Sequence, residues 1–534
     1  MNKSIEELIA SMTDEQLVSS VLVWEFNPKL GKRVLEQFIK ENHISNFFAL
    51  PVYTKEMLLW IKNAIKRHTD LPILVASDVE YGPQKTDVGE SVMPGLMACA
   101  AADEAELIYE MGKYTARFCR DRGISMVFSP VVDINYNFNN PVINVRAASD
   151  DPDTVIRIAS AYSRGLRSEG GFATGAKHFP GDGRDDRNQH FCTAVNDMSM
   201  EEWRASYGRV FSEMIKSGVD SIVVGHIALP AYETECDEFG PLPASVSKRL
   251  ITDLLKGELG FSGIVASDAM SMIGVSGRVR VEKLAVEFFK AGGDMLFFPE
   301  RGDFHRVLRA LKTGEIPRER MLDAVRRTVE LKKKLGLFDD AGYSASEQDV
   351  KEIRLIGKKI AEKSITLIRN MDATLPLRLR RGAKILQINI TYGKKNERRN
   401  LVPGITEQLV SRGFEVDFMT NPTHYRIGAV VSDYDAVIIL STISPASSSG
   451  SSLRADWNNI MAFWRGYAFR NKRTVFVSLG DPYKLYEMPY LRTYVNAYSA
   501  SDTTQRAVVR ALLGEIGFEG KSPVALRGYF ERKL

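Results

Sequence analysis

The sequence predicts an α/β protein in which an N-terminal (β/α)8 TIM-like barrel is followed by a C-terminal three-layer α/β sandwich domain. Short apolar runs alternate with longer amphipathic stretches through roughly the first 300 residues, a pattern typical of βαβ units around a parallel sheet. The same alternation resumes over about the last 150 residues, enough for one three-layer α/β domain. With 44% hydrophobic and 26% charged residues, the composition is that of a globular protein, which excludes a disordered, collagen-like or coiled-coil chain.

Seven apolar runs are the candidate barrel strands, and they fall at residues 47–50, 73–78, 126–133, 172–178, 222–226, 264–268 and 295–299. The amphipathic stretches between them have helical spacing, and most end in glycine, the usual C-cap residue of a helix. Seven candidates in a block of this length favour a (β/α)8 barrel with one strand missed or irregular over an open, doubly wound sheet.

A polar break near residue 340 separates the two blocks. The stretch KEIRLIGKKIAEKSITLIRN beyond it has the pattern of a helix running into a strand, and the arginine-rich residues 371–382 indicate a linker. Apolar and amphipathic stretches then alternate again, with a helix expected around residues 456–469. We therefore predict a TIM-like barrel over residues 1–340, a helix and linker over 341–382, and the sandwich domain over 383–534.

Charge and cysteine content narrow the function classes. Lys and Arg number 71 against 67 Asp and Glu, and without a basic run this balance predicts no nucleic-acid partner. The four cysteines form no C-x-x-C pair, which excludes a disulfide scaffold or a thiolate zinc site by spacing. The chain has no apolar signal-peptide core and no run of ~18 apolar residues, so we expect a cytoplasmic protein without a membrane span.

Ionisable side chains end five of the candidate strands, namely Asp78, Asp133, Lys177 with His178, His226 and Asp268. A single polar residue at a strand end is often a helix N-cap or part of a solvated turn. In a parallel barrel, however, the carboxyl ends of all strands meet at one rim, and active sites form there. Five strands that bring ionisable groups to one rim therefore predict an active site at that rim.

The loop TGAKHFPGDGRDDRNQHFCT, residues 174–193, is the most informative segment of the chain. It crowds Asp182, Asp185, Asp186, Asn188 and His190 behind an irregular Pro-Gly turn. Such a loop cannot pack as core because too many polar groups would need partners. Its spacing matches neither the Asp-x-Asp-x-Asp-Gly loop of calcium sites nor the H-E-x-x-H helix of zinc sites, so we expect no metal.

Several motifs resemble glycoside hydrolase family 3, and more closely its β-N-acetylglucosaminidase branch. The stretch KHFPGDG at 177–183 is similar to the KHFPGxG motif of that branch. The stretches GISMVFSPVVDI, NVRAASDDP and PASVSKRLITDLLKGELGFSGIVASDAM follow in the order of the family signatures. KSITLIRN, VSLGDPY and LLGEIGFEGKSPV resemble its linker and C-terminal domain. The resemblance covers almost the whole chain and implies the two-domain fold predicted above.

The resemblance also implies which residues carry out catalysis. Asp268 aligns with the family nucleophile, which forms a covalent glycosyl-enzyme and hydrolyses it with overall retention. His190 falls at the branch's catalytic histidine, expected to protonate the leaving oxygen and then to activate water. The branch usually has Asp two residues earlier, where this chain has Asn188. An amide orients the ring but brings no charge, so Asp185 or Asp186 is a candidate replacement.

The expected substrate is a small oligosaccharide or glycoside, bound without metal or organic cofactor. By resemblance, Asp78 belongs to the D-x-E segment that binds sugar hydroxyls, and Arg146, Lys177 and His178 match further residues that hold the sugar. Charge-assisted hydrogen bonds of this kind fix the orientation of the ring. The oligomeric state is left open, with a homodimer as one option.

The leading functional prediction is therefore a retaining exo-glycoside hydrolase that releases terminal β-linked N-acetylglucosamine-type residues. A β-N-acetylglucosaminide phosphorylase is an alternative, because a neutral or cationic acid/base spares incoming phosphate the repulsion of a carboxylate. A β-glucosidase is a second alternative, although that branch usually takes its acid from the C-terminal domain. A catalytically weakened sugar-binding relative is a third, and Asn188 is the reason to consider it.

Overall fold

The computed structural model describes residues 4–27, 29–50, 53–83, 91–339, 346–392, 400–445, 454 and 461–529. The chain divides into two compact units. The first comprises Met1–Gly89, Ile108–Ile134 and Val155–Glu352, and the second comprises Glu90–Leu107, Asn135–Thr154 and Ile353–Leu534. Within the described ranges, no helix is both long and apolar enough to cross a membrane.

The first unit is built around a parallel barrel with the strands β1 (Leu22–Glu25), β2 (Asn46–Ala49), β3 (Leu74–Ser77), β4 (Met126–Val127), β5 (Ala173–Phe179), β6 (Ser221–Val224), β7 (Ile264–Ser267) and β8 (Leu296–Phe297). Their order in the sheet is β7-β6-β5-β4-β3-β2-β1-β8, with every pair parallel. A bridge between Ala266 and Met295 joins the two ends of this order. The predicted (β/α)8 barrel is confirmed.

Strand β1 is the one that the seven apolar runs did not mark. The helix Asp14–Val21 ends at the residue directly before it, so no turn residue separates the two elements. Strand β4 is shorter than predicted, because only Met126 and Val127 pair within the sheet. The rest of that run, up to Asp133, leaves the regular strand and returns to it through one bridge between Val131 and Lys177.

The α-helices described up to residue 364 have the bounds Ile5–Ala10, Asp14–Val21, Lys32–Glu41, Lys55–Lys66, Leu96–Ala102, Ala105–Asp121, Pro152–Arg167, Met200–Trp203, Arg209–Lys216, Ile273–Ser276, Val281–Ala291, Asp303–Thr313, Arg318–Lys334 and Glu347–Ser364. Arg204–Gly208 and Arg249–Glu258 are π-helical, and Ala244–Val246 is a 3-10 turn. Reciprocal capping boxes begin three of the described helices, with Ser4 paired to Glu7, Thr13 to Gln16 and Ser199 to Glu202.

Apolar side chains fill the barrel interior. They include Val23, Phe48, Ala76, Phe128, Val223, Ala266 and Phe297. The rings of Phe128 and Phe297 meet edge to face at 4.5 Å between centroids. Since the interior is a packed core, polar chemistry is left to the loops that follow the strands.

The second unit contains a mixed six-stranded sheet of β9 (Thr366–Asn370), β10 (Lys384–Ile390), β11 (Glu415–Thr420), β12 (Ala436–Ser441), β13 (Thr474–Ser478) and β14 (Thr493–Asn496). The order is β9-β14-β13-β12-β10-β11, and only β9 runs antiparallel to its neighbour. The predicted helix running into a strand is confirmed as Glu347–Ser364 followed by β9. Residues 341–345 of the predicted helix-and-linker segment lie outside the described ranges.

Both faces of this sheet are apolar, as a three-layer sandwich requires. Alternate residues of β10 enter different clusters, with Leu386 and Ile388 on one face and Ile385 on the other. The remaining α-helices are Pro403–Val410, His424–Val430 and Asp502–Leu512, and the 3-10 turns are Asn144–Arg146, Val431–Asp433, Tyr467–Phe469 and Lys484–Tyr486. Residues 456–460 of the helix expected around 456–469 lie outside the described ranges.

Candidate active site

Asp268 directly follows β7 at the carboxyl end of the barrel. Its backbone N–H donates to Val224 O at 3.1 Å, and its Oδ1 accepts from the Ala269 N–H at 2.8 Å. One fifth of its side chain is exposed. Burial acts to raise the pKa of Asp268, but the positive charges of His178 and Lys177 outweigh it, so the pKa lies below its ordinary value. Asp268 is therefore an ionised carboxylate with solvent access.

His178, in β5, faces Asp268 with a fixed ring. Its Nδ1 lies 2.6 Å from Asp133 Oδ2, and its Nε2 lies 3.9 Å from Asp268 Oδ2. Asp133 is completely buried and also accepts from the backbone N–H groups of His178 and Asp182. Because an ionised carboxylate only accepts hydrogen bonds, Nδ1 carries a proton, and Nε2 is the ring nitrogen that faces Asp268.

Lys177 forms a charged cluster with two carboxylates of the segment after β3. Its Nζ lies 2.6 Å from Asp78 Oδ1 and 2.8 Å from Glu80 Oε1, and only 4% of its side chain is exposed. The Asp78 side chain is 45% exposed. Both acidic residues of the D-x-E segment therefore hold Lys177, while Asp78 also presents its carboxylate to solvent.

His190 is oriented by Asn188. The amide Oδ1 of Asn188 accepts from the His190 backbone N–H at 3.0 Å and lies 2.7 Å from His190 Nδ1. Asn188 is 3% exposed. Because the amide oxygen accepts the Nδ1 proton, Nε2 is the ring atom at which His190 can give or take a proton. The partner of this ring is neutral, as the sequence predicts.

Asp185 is bound by two other groups of the chain. Its Oδ2 accepts from Arg187 Nε and from the Val195 N–H, both at 2.7 Å. Asp186 is exposed. These contacts hold one carboxylate oxygen of Asp185, and the hypothesis that Asp185 or Asp186 replaces the dyad carboxylate stays a prediction.

The loop that carries His190 is attached to the segment after Asp268. The carbonyl of His190 accepts from the Ile273 N–H at 3.2 Å. Next to it, Thr193 Oγ1 donates to the Gly274 carbonyl at 2.7 Å. The barrel unit thus brings together three pairs of predicted site residues: Asp268 with His178, Lys177 with Asp78, and His190 with Asn188. Hydrogen bonds also hold the His190 loop against the segment that follows Asp268.

Arg146 belongs to the other compact unit. It ends the 3-10 turn Asn144–Arg146, and its guanidinium donates to the Val142 carbonyl at 3.0 Å. This short-range bond orients the side chain within its own unit.

His226 supports the backbone beside Asp268. Its Nε2 lies 2.9 Å from the Ala269 carbonyl, and its Nδ1 lies 2.9 Å from Ser245 Oγ. Burial lowers the pKa of His226, so the ring is neutral near pH 7. A neutral ring donates from Nε2 to Ala269 and accepts from the serine hydroxyl, which fixes the turn that follows Asp268.

Glu80, Asp182 and Gln189 are polar residues of the site to which the sequence assigned no role. Glu80 shares Lys177 with Asp78, and Gln189 Nε2 donates to Asp182 Oδ2 at 3.1 Å. Their only signal in the sequence is their position inside the motifs. Across the described part of the chain, no three His, Cys, Asp or Glu side chains are grouped in a way that could hold a metal ion.

Comparison with known proteins gives the family. The model of the glycosyl hydrolase family 3 N terminal domain matches residues 13–331. A β-N-acetylglucosaminidase/β-glucosidase of Cellulomonas fimi is 32% identical over 479 residues, which are 85% of this chain and 84% of that protein.

Two solved structures are similar over almost the whole length. A β-glucoside phosphorylase, BglX, bound to 2FGlc superposes with a TM-score of 0.88 at 26% identity, covering 98% of this chain and 96% of that chain. A family 3 β-N-acetylglucosaminidase from Paenibacillus sp. str. FPU-7 superposes with a TM-score of 0.82 at 26% identity, covering 97% and 99%.

Proposed function

Because the chain belongs to glycoside hydrolase family 3 and is a glycosidase, we propose that it is a retaining exo-enzyme for terminal β-linked N-acetylglucosamine-type residues. The observation that carries the proposal is the pairing of an ionised Asp268 with a histidine loop hydrogen-bonded to the segment after it. The names of the relatives from Cellulomonas fimi and Paenibacillus support the acetamido sugar.

Asp268 is the proposed nucleophile. One of its carboxylate oxygens attacks the anomeric carbon as the bond from that carbon to the leaving oxygen breaks, giving a covalent glycosyl ester. The lowered pKa of Asp268 supports this role because a nucleophile must be ionised before the attack. Water then cleaves the ester, and two displacements at one carbon restore the original β configuration.

His190 is the proposed acid/base. In the first step its Nε2 gives a proton to the leaving oxygen, and in the second step the same atom takes a proton from the attacking water. The contact of its Nδ1 with Asn188 supports this assignment, because that contact leaves Nε2 as the exchanging atom. A neutral amide supplies orientation without stabilising the imidazolium as a carboxylate would.

Asp78, Lys177 and His178 are the proposed sugar-binding residues of the barrel, and Arg146 is proposed as a fourth. The exposed Asp78 carboxylate can accept hydroxyl protons, while the buried ammonium of Lys177 fixes its position. Hydrogen bonds to charged groups hold the ring in one orientation and can strengthen as positive charge develops at the anomeric carbon.

The test is hydrolysis of p-nitrophenyl N-acetyl-β-glucosaminide and of the matching β-glucoside by the wild type and Asp268→Ala. We expect faster turnover of the acetamido sugar and a loss on the order of 10³-fold or more in Asp268→Ala. Asp253→Asn, an exposed aspartate on the helix Arg249–Glu258, is the matched control and should keep wild-type activity. Preference for the β-glucoside would reassign the sugar, and full activity of Asp268→Ala would refute the nucleophile.

A second candidate function is transfer of the glycosyl group to phosphate. The neutral contact between Asn188 and His190 favours it, since no carboxylate at this position repels an incoming phosphate. One structural relative is a β-glucoside phosphorylase. The same assay in phosphate buffer separates the two functions, because a phosphorylase releases a sugar 1-phosphate and a hydrolase releases the free sugar.

A further inference from the structure

Gln189, between Asn188 and His190, is buried with both ends of its amide bound. It is 1% exposed. Its Oε1 accepts from the His226 backbone N–H at 3.0 Å, and its Nε2 donates to Asp182 Oδ2 at 3.1 Å. A buried amide with partners at both ends is held in one orientation, and losing those partners leaves buried polar groups unsatisfied.

The two partners of Gln189 are themselves fixed. Asp182 is 2% exposed, its N–H donates to Asp133 Oδ1 at 2.7 Å, and its carbonyl accepts from the Tyr207 hydroxyl at 2.6 Å. The ring of His226 holds the Ala269 carbonyl, one residue after Asp268. Gln189 therefore connects the His190 loop to the support of His178 on one side and to the support of Asp268 on the other.

Two glycines next to Gln189 provide the space that this residue occupies. A Cβ at Gly274 would lie 2.3 Å from the Gln189 carbonyl oxygen, and a Cβ at Gly225 would lie 3.0 Å from its Oε1. No side chain fits the first of these spaces without moving the loop. The backbone and the amide of Gln189 are thus in close contact with the segments on both sides.

We propose that Gln189 is a positioning residue for acid/base catalysis: its side chain docks the loop, and the docked loop holds His190 beside the scissile bond. This inference rests on the proposed role of His190. Without the amide, the contact between Asn188 and His190 survives, because it lies within the loop. The ring stays correctly oriented relative to the loop, but the loop loses the bond between the Gln189 side chain and the His226 backbone N–H. The effect falls on proton transfer to the leaving oxygen.

The dependence of kcat/KM on the leaving group isolates that step. In a 2,4-dinitrophenyl β-glycoside the dinitrophenolate leaves without being protonated. In the phenyl β-glycoside of the same sugar the leaving oxygen needs a proton from the acid. We expect Gln189→Ala to lower kcat/KM for the phenyl glycoside at least about tenfold and for the dinitrophenyl glycoside less than about threefold. Gln189→Met keeps the volume of the side chain without its hydrogen bonds and should have the same effect as Gln189→Ala. It controls for collapse of the loop into the cavity that alanine leaves.

His190→Ala and Arg184→Ala complete the experiment. His190→Ala should also lower kcat/KM for the phenyl glycoside more than for the dinitrophenyl glycoside, with a larger loss than in the Gln189 variants. Arg184→Ala is the control in the same loop: it removes only an exposed ion pair with Asp197 and should match the wild type. If His190→Ala spares the dinitrophenyl glycoside while both Gln189 variants slow the two substrates equally or not at all, the positioning role is wrong and the proposed function stands. If His190→Ala slows both substrates equally, the proposed acid/base role of His190 is wrong, and the positioning role of Gln189 fails with it.

Discussion

The Nε2 atom of His178 lies 3.9 Å from Oδ2 of Asp268, and the opposite ring nitrogen lies 2.6 Å from Oδ2 of the buried Asp133. His178 lies in β5, Asp268 directly follows β7, and Asp133 lies in the segment after β4, so the relationship depends on the closed sheet. It places a fixed imidazole beside the carboxylate that we propose as the nucleophile. The electrostatic environment of Asp268 is therefore built into the barrel and exists before a sugar binds.

The acidic limb of the pH–rate profile should respond to Lys177. Its charge contributes to the lowered pKa of Asp268, so the wild-type carboxylate stays ionised below the ordinary value of 3.8, and activity is lost only as the pH falls through the lowered pKa. In Lys177→Met the pKa of Asp268 rises, because a positive charge is removed and Asp78 and Glu80 lose their partner. The acidic limb of kcat/KM should therefore move to higher pH.

The measurement is kcat/KM against pH over the range in which circular dichroism shows a constant folded fraction. Lys177→Met also loses a proposed sugar contact, which lowers kcat/KM at every pH without moving the limb. Lys216→Met, 71% exposed and paired only with Glu213 among the ion pairs described, is the control. An acidic limb that stays in place in Lys177→Met contradicts the electrostatic account of Asp268.

The alkaline limb should respond to Asn188. In Asn188→Asp a negative charge replaces the amide oxygen 2.7 Å from His190 Nδ1 and stabilises the imidazolium. Activity is lost when the imidazolium deprotonates, so the limb should move to higher pH, and the share of sugar 1-phosphate among the products in phosphate buffer should fall. Asn188→Ser, which brings no charge, should leave the limb in place. An unchanged alkaline limb in Asn188→Asp would mean that another group is the acid.

The buried Asp133 should be a large contributor to stability. Its carboxylate accepts from the His178 ring and from the backbone N–H groups of His178 and Asp182. Asp133→Asn keeps the shape but turns an NH2 group toward these donors, which we expect to cost about 3 kcal/mol of the free energy of unfolding. Urea unfolding followed by tryptophan fluorescence measures it, with the exposed Asp253→Asn as control. A loss below about 0.5 kcal/mol, typical of surface positions, would refute this role.

Gly274 should be required for the position of the His190 loop. In Gly274→Ala the new Cβ would lie 2.3 Å from the Gln189 carbonyl and 3.0 Å from the His226 Cβ, so the loop must shift. We expect kcat/KM for the phenyl glycoside to fall at least about tenfold, because a shift of that size misplaces the acid. Gly257→Ala, whose Cβ would meet nothing closer than 3.3 Å, should match the wild type. Equal activity of both variants would show that the loop tolerates the shift.

The barrel could be predicted because most of its strands are apolar runs separated by helical patterns. The seven runs correspond to β2 through β8, and the ionisable groups at their ends lie at the predicted rim. Strand β1 was not predicted because the helix Asp14–Val21 continues directly into it without a turn residue. The sequence predicts β4 as longer than it is, because the buried residues after Val127 are as apolar as those that pair in the sheet.

The connections within the site could not be predicted from sequence. Asp133 contacts residues 45 and 49 positions further along the chain, and such a distance is decided by the closure of the barrel. The sequence does not distinguish Asp185 from Asp186, whereas the structure shows that Arg187 binds the carboxylate of Asp185. Gln189 is an uncharged residue inside a motif, so nothing in its chemistry distinguishes it from a solvated loop residue.

The most direct test of the central claim is to trap the glycosyl-enzyme. Incubation with a fluorinated glycosyl fluoride of the preferred sugar slows hydrolysis of the covalent ester, and mass spectrometry of the intact protein and its peptic peptides locates the label. The account predicts one glycosyl unit per chain, attached to Asp268, and no label in Asp268→Ala. A label on another residue, or an unlabelled enzyme whose product has the inverted anomeric configuration, would contradict it.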